Sequence, residues 1–422
     1  MTEPLERLPD GTVKQVNPFT GTKVWTLPDR GARPLARQAR VPLPLDPADH
    51  DRYCAFCWGR MLETPPEIAR VVRAGAGWRE VRGLLAEDLH SSVPEFRLIP
   101  NLFEILSYDY WHLSHGWHAT ADADARRTAY LSTPLGRDQV SALVRTKLRA
   151  RGVPGATLAA RTFEEDVRDS AEFFASNHDV VVARRHYVDG ATTDTELAGS
   201  GTLSPEEHWQ YVAFAIETAR RLYADNPFAC YVSIFQNWLS PAGASFDHLH
   251  KQLVAIDELS VQTEREAARV RAEPDLYARW GETYAAQQGL VVASTPSAVA
   301  FAGVGHQYPS LEVHSRDPRS LPWELGDEQV RDFSDLLHAC HAATGVDVPT
   351  NEEWHHRPPT LDLPMPLRAV IKWRISTLAG FEGGTKIYVN TIDPWAVRDR
   401  VVGRLKELAG DGALSPSVSV PG

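Results

Sequence analysis

The chain has 422 residues, 43% of them hydrophobic and 23% charged, an ordinary soluble composition with length for two or three domains. Asp and Glu number 55 against 44 Lys and Arg, a formal charge of −11, which argues against nucleic acid as a partner because phosphate backbones need a basic surface; a small phosphorylated ligand in a locally basic pocket stays compatible. The opening MTEPLERLPDGT lacks the apolar core of a secretory leader and no apolar run approaches a membrane span, so the expectation is a cytoplasmic protein with no membrane partner.

Along the chain, NPFTG (17–21) reads as a turn, TKVWTL as a short strand, and the segment after it as a basic loop holding Arg30 and Arg33. Cys54 and Cys57 form a CxxC, which in a reducing compartment points to metal or redox chemistry. The two other cysteines, Cys230 and Cys340, read as plain buried residues. A Pro-rich stretch follows, then a strand-like FRLIPNLFEI (96–105) containing Asn101. Residues 107–170 carry an aromatic and His-rich patch, YDYWHLSHGWH, and a charged helical run, DQVSALVRTKLRARG.

The clearest pattern comes next. HDVVVARRH (178–186) is a β-branched strand ending at His186. Residues 204–227 start at Ser204 with Glu207 three positions on and carry apolar residues at helical spacing, which predicts a capped amphipathic helix. YVSIFQNW (231–238) is a strand containing Asn237, PAGAS a turn, and HLHKQLVAID a strand alternating at period two. Strand, helix and strand then recur weakly: LEVHSRD (311–317), then a helix through EQVRDFSDLLHACHAAT, suggesting a degenerate internal repeat of about 150 residues. A boundary near 258 fits the charged helical segment that follows it, and the terminal SPSVSVPG reads as a short disordered tail.

HLHKQ carries the chemistry. On a strand, His248, His250 and Gln252 share one face. The preceding turn of Gly243, Ala244 and Ser245 can bring N–H groups and a hydroxyl to a phosphate. Neutral imidazole is a competent nucleophile toward phosphorus. Two histidines on a strand face are otherwise only packed or surface residues; the turn and Gln252 in register favour function.

The stretch FQNWLSPAGASFDHLHKQL resembles the active-site segment of the galactose-1-phosphate uridylyltransferase family, in the histidine-triad superfamily. That family's pattern, F-[EQ]-N, spacer, G-x-S, two residues, H-x-H-x-Q, is matched by Phe235, Asn237, Gly243, Ser245, His248, His250 and Gln252. NPFTGTKVWTLPDRGARP, CAFCWGRMLETPPEI, PNLFEIL and LAGFEGGTKIYVN resemble four further family segments in the family's order, spanning residues 17 to about 405.

The resemblance implies an α+β fold of two tandem histidine-triad-like halves, each a mostly antiparallel sheet with packed helices. Residues 1–258 would form the catalytic half, with an insertion at about 107–170 that has no family counterpart, and 259–422 the degenerate half. It implies a ping-pong nucleotidyltransferase in which His250 attacks the α-phosphorus of a nucleotide sugar and an acceptor phosphate then takes the nucleotide. Gln252 favours transfer over hydrolysis, because hydrolytic relatives carry a third His there. Ser245 would bind the moving phosphate, Asn237 orient the phosphoryl group and Asn101 contact the nucleoside. Arg30 and Arg33 would meet diphosphate oxygens. Glu382 falls in the family's G-[FY]-E motif, and Thr385 in a Gly-Thr turn like that of relatives that bind phosphate there. Cys54, Cys57, His186 and His248 would hold a structural Zn2+, although the register at His186 is one residue short and His178 or the HLSHGWH patch are alternatives.

Where relatives carry an H-x-H-x-E run, this chain has Pro366, Arg368 and Val370, so no second metal is expected there; His355 and His356 are the nearest candidates. Ser376 and Thr377 stand where well-studied members place a phosphate-binding lysine, which makes the family reaction a firmer expectation than galactose as substrate. A phosphorylase of ADP-glucose or dinucleoside polyphosphates is the sister reading. The other classes are a hydrolase and a catalytically silent, zinc-stabilised nucleotide-binding protein. The family also implies a homodimer whose C-terminal halves complete each other's sites.

Overall fold

The period-two segments of the sequence pair as expected. The computed structural model describes residues 3–28, 41–46, 48–75 and 77–422. Its first-half strands are β1 (Leu5–Arg7), β2 (Val13–Val16), β3 (Lys23–Thr26), β4 (Ala69–Ala74), β5 (Gly77–Arg82), β6 (Pro94–Pro100), β7 (His178–Ala183), β8 (Tyr231–Trp238) and β9 (His250–Ile256). The remainder are β10 (Val291–Ser294), β11 (Ala298–Ala302), β12 (Ser310–Ser315), β13 (Thr350–His355), β14 (Arg368–Trp373) and β15 (Ile387–Asn390). Strands β4 to β14 join into one sheet in the order β10-β11-β12-β14-β13-β8-β9-β7-β6-β4-β5. Every neighbouring pair in it is antiparallel. A small second sheet, β1-β2-β3-β15, lays the first strands against the end of the chain through the parallel pair β3–β15.

The weak repeat is a real two-fold in this large sheet. Strands β8 and β13 meet at its centre, with Phe235 opposite Glu353. On one side Gln252 of β9 lies opposite Phe235; on the other Val370 of β14 lies opposite Glu353. Carried along both strands, that register sets His248, His250 and Gln252 against Pro366, Arg368 and Val370. The C-terminal half thus holds the geometry of the motif without its chemistry.

Alternation sends odd and even residues of each strand to opposite faces. One face is covered by the helices Pro205–Asp225 and Asp327–Thr344. The first begins at a capping box in which Ser204 Oγ accepts from Glu207 N–H and the Glu207 carboxylate accepts from Ser204 N–H. On this face Lys251 and Glu352, both almost fully buried, form an ion pair that reaches across β8 from β9 to β13. Burial acts to raise the Glu352 carboxyl's pKa, but the Lys251 charge and the His341 hydrogen bond outweigh it and hold it well below the ordinary carboxylate range. His250 and Gln252 point to the other face.

Residues 107–170 are helical: Tyr108–His115, Ala121–Leu131, Pro134–Ala150, Gly155–Ala159 and Phe163–Arg168. Trp111 of the first packs into the main core, whereas Tyr130, Leu143 and Val144 of the second and third form a small separate core with Ala86, Phe173 and Phe174. The C-terminal segment departs from the reading of a disordered tail. Ser419 exchanges two backbone hydrogen bonds with Ser294 on the outer strand β10, and Ser417 Oγ donates to Asp335. Composition misled because the segment uses its backbone to cover a sheet edge. No helix among the described residues is long and apolar enough to cross a membrane.

Candidate active site and metal centre

Strand β9 opens at His250, and three elements converge there. The CxxC turn comes from the N-terminal side, β7 lies alongside, and the β8–β9 turn leads in. Cys54, Cys57, His186 and His248, all buried, bring one ligand atom each to within 4.8 Å of one another, a group that could hold a metal ion. The two Sγ atoms are 3.8 Å apart. Nδ1 of His186 lies 3.5 and 3.7 Å from them, and Nδ1 of His248 3.5 and 3.8 Å. The His248 ring is fixed from behind, Nε2–H donating to Ala183 O at 2.7 Å, which leaves Nδ1 as the lone pair facing the thiols. A hydrogen bond from the Cys54 thiol pushes the Cys57 thiol's pKa down, toward the thiolate that a metal ion would bind. His186 is therefore in the cluster, and its short register is absorbed by the turn after β7. The alternatives lie elsewhere: His178 bonds Gln252, while His115 bonds Asp257 and His112 sits against His118.

His250 is two residues past the cluster. Its Nδ1–H donates to His248 O at 2.7 Å, and Nε2 has no hydrogen-bond partner among the described residues. Burial pushes its pKa down to about 4, so the imidazole is neutral at ordinary pH. Phe56, between the two cysteines, lays its ring 5.2 Å from that of His250 and 4.8 Å from that of Phe246. The Cys54–Cys57 loop thereby lays apolar surface against the His250 ring.

Two carboxamides flank His250 on the same face. Gln252 Oε1 accepts from His178 Nε2 at 3.0 Å and Asn101 Nδ2 at 3.3 Å. Asn237 Oδ1 accepts from Asn351 Nδ2 at 2.6 Å. In both, the oxygen is turned into the protein, and no described residue takes the NH2. The turn leading back to His250 begins at Leu239, whose φ of 66° is unusual for a bulky residue, and passes Gly243 at φ 89°. A Cβ at Gly243 would meet nothing within 4 Å, so glycine serves the backbone conformation here and leaves the approach open. Ser245 is exposed beside it.

Of the other expected residues, Arg30 and Arg33 lie outside the described residues. Glu382 and Thr385 lie on the helix Gly380–Thr385, next to β15. Glu382 accepts from the backbone N–H groups of Ala379 and Val389, so its carboxylate shapes that turn. Thr385 Oγ1 donates to Phe381 O. Neither makes a hydrogen bond to β8 or β9. His355 lies 4.0 Å from Glu353, and His356 stacks on Tyr231.

Motif reading passed over several residues. Arg97, cross-strand from Val182 and hence in line with His250, donates from Nε to Glu67 at 2.7 Å and from Nη2 to Thr64 at 3.0 Å. Glu67 also pairs with Arg70, so the TPPE segment supplies the counter-ion for two buried arginines. Asn351 gave no signal, and His178 was weighed only as an alternative metal ligand, because nothing local marks a residue whose partner is more than 70 positions away.

A comparison with curated proteins finds no match. Among solved structures, an ADP-glucose phosphorylase from Arabidopsis thaliana with bound ADP-glucose superposes with a TM-score of 0.58. It is 18% identical, over 93% of this chain and 98% of that one. A GalT-like protein from Arabidopsis thaliana gives a TM-score of 0.57 at 18% identity, over 92% and 98%. These likenesses establish the fold, the one that the sequence motifs implied. A family model described as a domain of unknown function, DUF4921, matches residues 8–421. The chain belongs to the DUF4921 family.

Proposed function

We propose that the protein is a nucleotidyltransferase that works through a nucleotidyl-His250 intermediate. The observation that carries this reading is the state of His250: neutral, Nδ1–H bound to His248 O, and Nε2 free between two outward-facing amide NH2 groups. Nε2 would attack the α-phosphorus of a nucleotide sugar. An N–P bond forms, the bridging P–O bond breaks, and the sugar phosphate leaves with both bonding electrons. An acceptor phosphate oxygen then attacks the same phosphorus and displaces Nε2. The NH2 groups of Asn237 and Gln252, with Ser245, would stabilise charge on the non-bridging and transferring oxygens. Asn101 would contact the nucleoside, and Arg30 and Arg33 the diphosphate. Gln252 offers donors to the intermediate and no base for water, which favours transfer over hydrolysis.

Zinc fits the four-donor cluster. A tetrahedron with zinc–sulfur bonds of about 2.3 Å and zinc–nitrogen bonds of about 2.0 Å has edges of about 3.8 Å between sulfurs and about 3.5 Å from sulfur to nitrogen. The separations here run from 3.5 to 3.8 Å. Four protein donors leave no open position, so the ion would be structural, fastening the N-terminal loop to the nucleophile strand.

A second reading, with inorganic phosphate as acceptor and ADP-glucose as donor, is favoured by the Gly-Thr turn at 384–385 and by the fold shared with an ADP-glucose phosphorylase. The exposed Leu378 and Phe381 around that turn suit a homodimer in which one copy's 379–386 turn completes the other's site. Intact-mass measurement after mixing with UDP-glucose or ADP-glucose tests the transfer. A His250-dependent adduct of the donor's nucleoside monophosphate is expected, discharged by phosphate or a sugar phosphate. Absence of an adduct from every nucleotide donor would sink the reading, and rapid release to water would point to a hydrolase.

A further inference from the structure

We propose that His178 is a positioning residue that decides which end of the Gln252 carboxamide faces the reacting phosphorus. This rests on the reading of His250 as nucleophile, and concerns a residue outside the motif.

A carboxamide has a donor end and an acceptor end of nearly equal shape. Beside phosphate oxygens only the donor end stabilises; a flipped amide sets oxygen against oxygen. A strand position alone does not choose between them. His178 does. It lies on β7, two residues before Val180, which is directly cross-strand from Gln252, so both side chains emerge on one face. Its Nδ1 accepts from the backbone N–H of Ile105 at 3.2 Å. In a neutral ring the proton must then sit on Nε2, and Nε2–H donates to Gln252 Oε1 at 3.0 Å. Burial keeps the ring neutral, pushing its pKa down to about 4, so one tautomer holds throughout the neutral range.

Asn101 agrees. Its Oδ1 accepts from Phe103 N–H at 2.9 Å, which turns Nδ2 toward Gln252 Oε1. The 3.1 Å between Asn101 Nδ2 and His178 Nε2 is two donors converging on one acceptor. Both lone pairs of Oε1 are thereby engaged, and the NH2 is left as the group Gln252 presents. His178 itself sits behind Gln252, almost fully buried, and acts through it.

Two substitutions separate this role from mere anchoring of the 101–107 loop. His178→Asn keeps an acceptor where Nδ1 stands and loses the donor to Gln252. His178→Gln keeps a donor where Nε2 stands and loses the loop's acceptor. Positioning predicts that His178→Asn slows adduct formation by about 10–100-fold with KM for the donor changed by less than about 3-fold, and that His178→Gln stays within about 5-fold of the parent. It also predicts that His178→Asn has little further effect in a Gln252→Ala background, since coupled residues are not additive. The reverse order of the two variants, or an undiminished effect of His178→Asn without Gln252, overturns the proposal. Imidazole 15N shifts of the histidine-labelled parent read the tautomer directly, and a proton on Nδ1 of His178 overturns it irrespective of activity. Failure of the parent to form any adduct would instead strike the transfer reading, and the two failures are told apart.

Discussion

Asn351 Nδ2, on β13 of the C-terminal half, donates to Asn237 Oδ1, on β8 of the other, at 2.6 Å. The same NH2 donates to Ala242 O at 2.8 Å, and Asn351 Oδ1 accepts from Arg374 Nη1 at 2.6 Å. A residue of the C-terminal half therefore sets the amide beside His250 and the turn before it. Asn351→Ala removes the donor and is expected to slow adduct formation by about 10-fold. Asn351→Asp should be worse, although it is isosteric and can pair more strongly with Arg374. A carboxylate has no proton for Asn237 Oδ1, so the Asn237 amide turns its NH2 inward and its oxygen toward the phosphate. Single-turnover rates check this, and an Asp variant faster than the Ala variant would count against the relay.

The Cys54, Cys57, His186 and His248 group joins residues more than 190 positions apart, so losing the proposed ion should loosen the N-terminal loop and β9 together. One zinc per chain is expected by elemental analysis. Stripping it with a chelator, or Cys57→Ser, should lower the melting temperature by about 10 °C and abolish the His250 adduct. A Tm that ignores both treatments, in a protein free of metal, would exclude a structural ion.

Much of this was legible beforehand, and the reason is locality. HLHKQ, the G-x-S turn and the CxxC are contiguous, and a strand's period of two places His248, His250 and Gln252 on one face without tertiary information. The weak repeat was readable because the helices at 205 and 327 carry their own periodicity, and the α+β class followed from the family resemblance. What sequence left open was pairing at long range. Asn351 on Asn237, His178 on Gln252 and Lys251 on Glu352 are individually common residue types, and their meaning lies in a register that only the assembled sheet defines. The ambiguity over His186 had the same origin: a shortened turn after β7 shifts the count but not the place where the ring arrives.

The Lys251–Glu352 pair gives a stability prediction with a definite pH sign. Lys251→Met keeps the stem and strands a buried carboxylate, which should cost about 3–5 kcal/mol at neutral pH. Glu352 has a depressed pKa when folded, so its contribution is present above the ordinary carboxylate pKa of about 4.3 and fades as pH falls. In the Met variant Glu352 loses the Lys251 part of that depression and keeps only the His341 bond, so the loss in stability relative to the parent should shrink as the pH is lowered below about 4. Denaturant unfolding of parent and variant across that range is the measurement; a difference that grows toward acid would contradict the assignment.

Gln252→Glu tests the amide's orientation with a single-atom change. The His178 Nε2–H and Asn101 NH2 that hold Oε1 would bind a carboxylate oxygen equally well, so the side chain should stay where it is. The second oxygen would then stand where the NH2 stood, carrying negative charge toward a phosphate. Gln252→Ala only deletes a donor and leaves room for water. The Glu variant should therefore be the slower of the two in adduct formation, by about 10-fold or more, with unchanged metal content and melting behaviour. The gap should narrow as salt is raised, because part of it is repulsion across a solvent-reached site. A Glu variant as fast as the parent would show that the NH2 of Gln252 does not face the phosphoryl group.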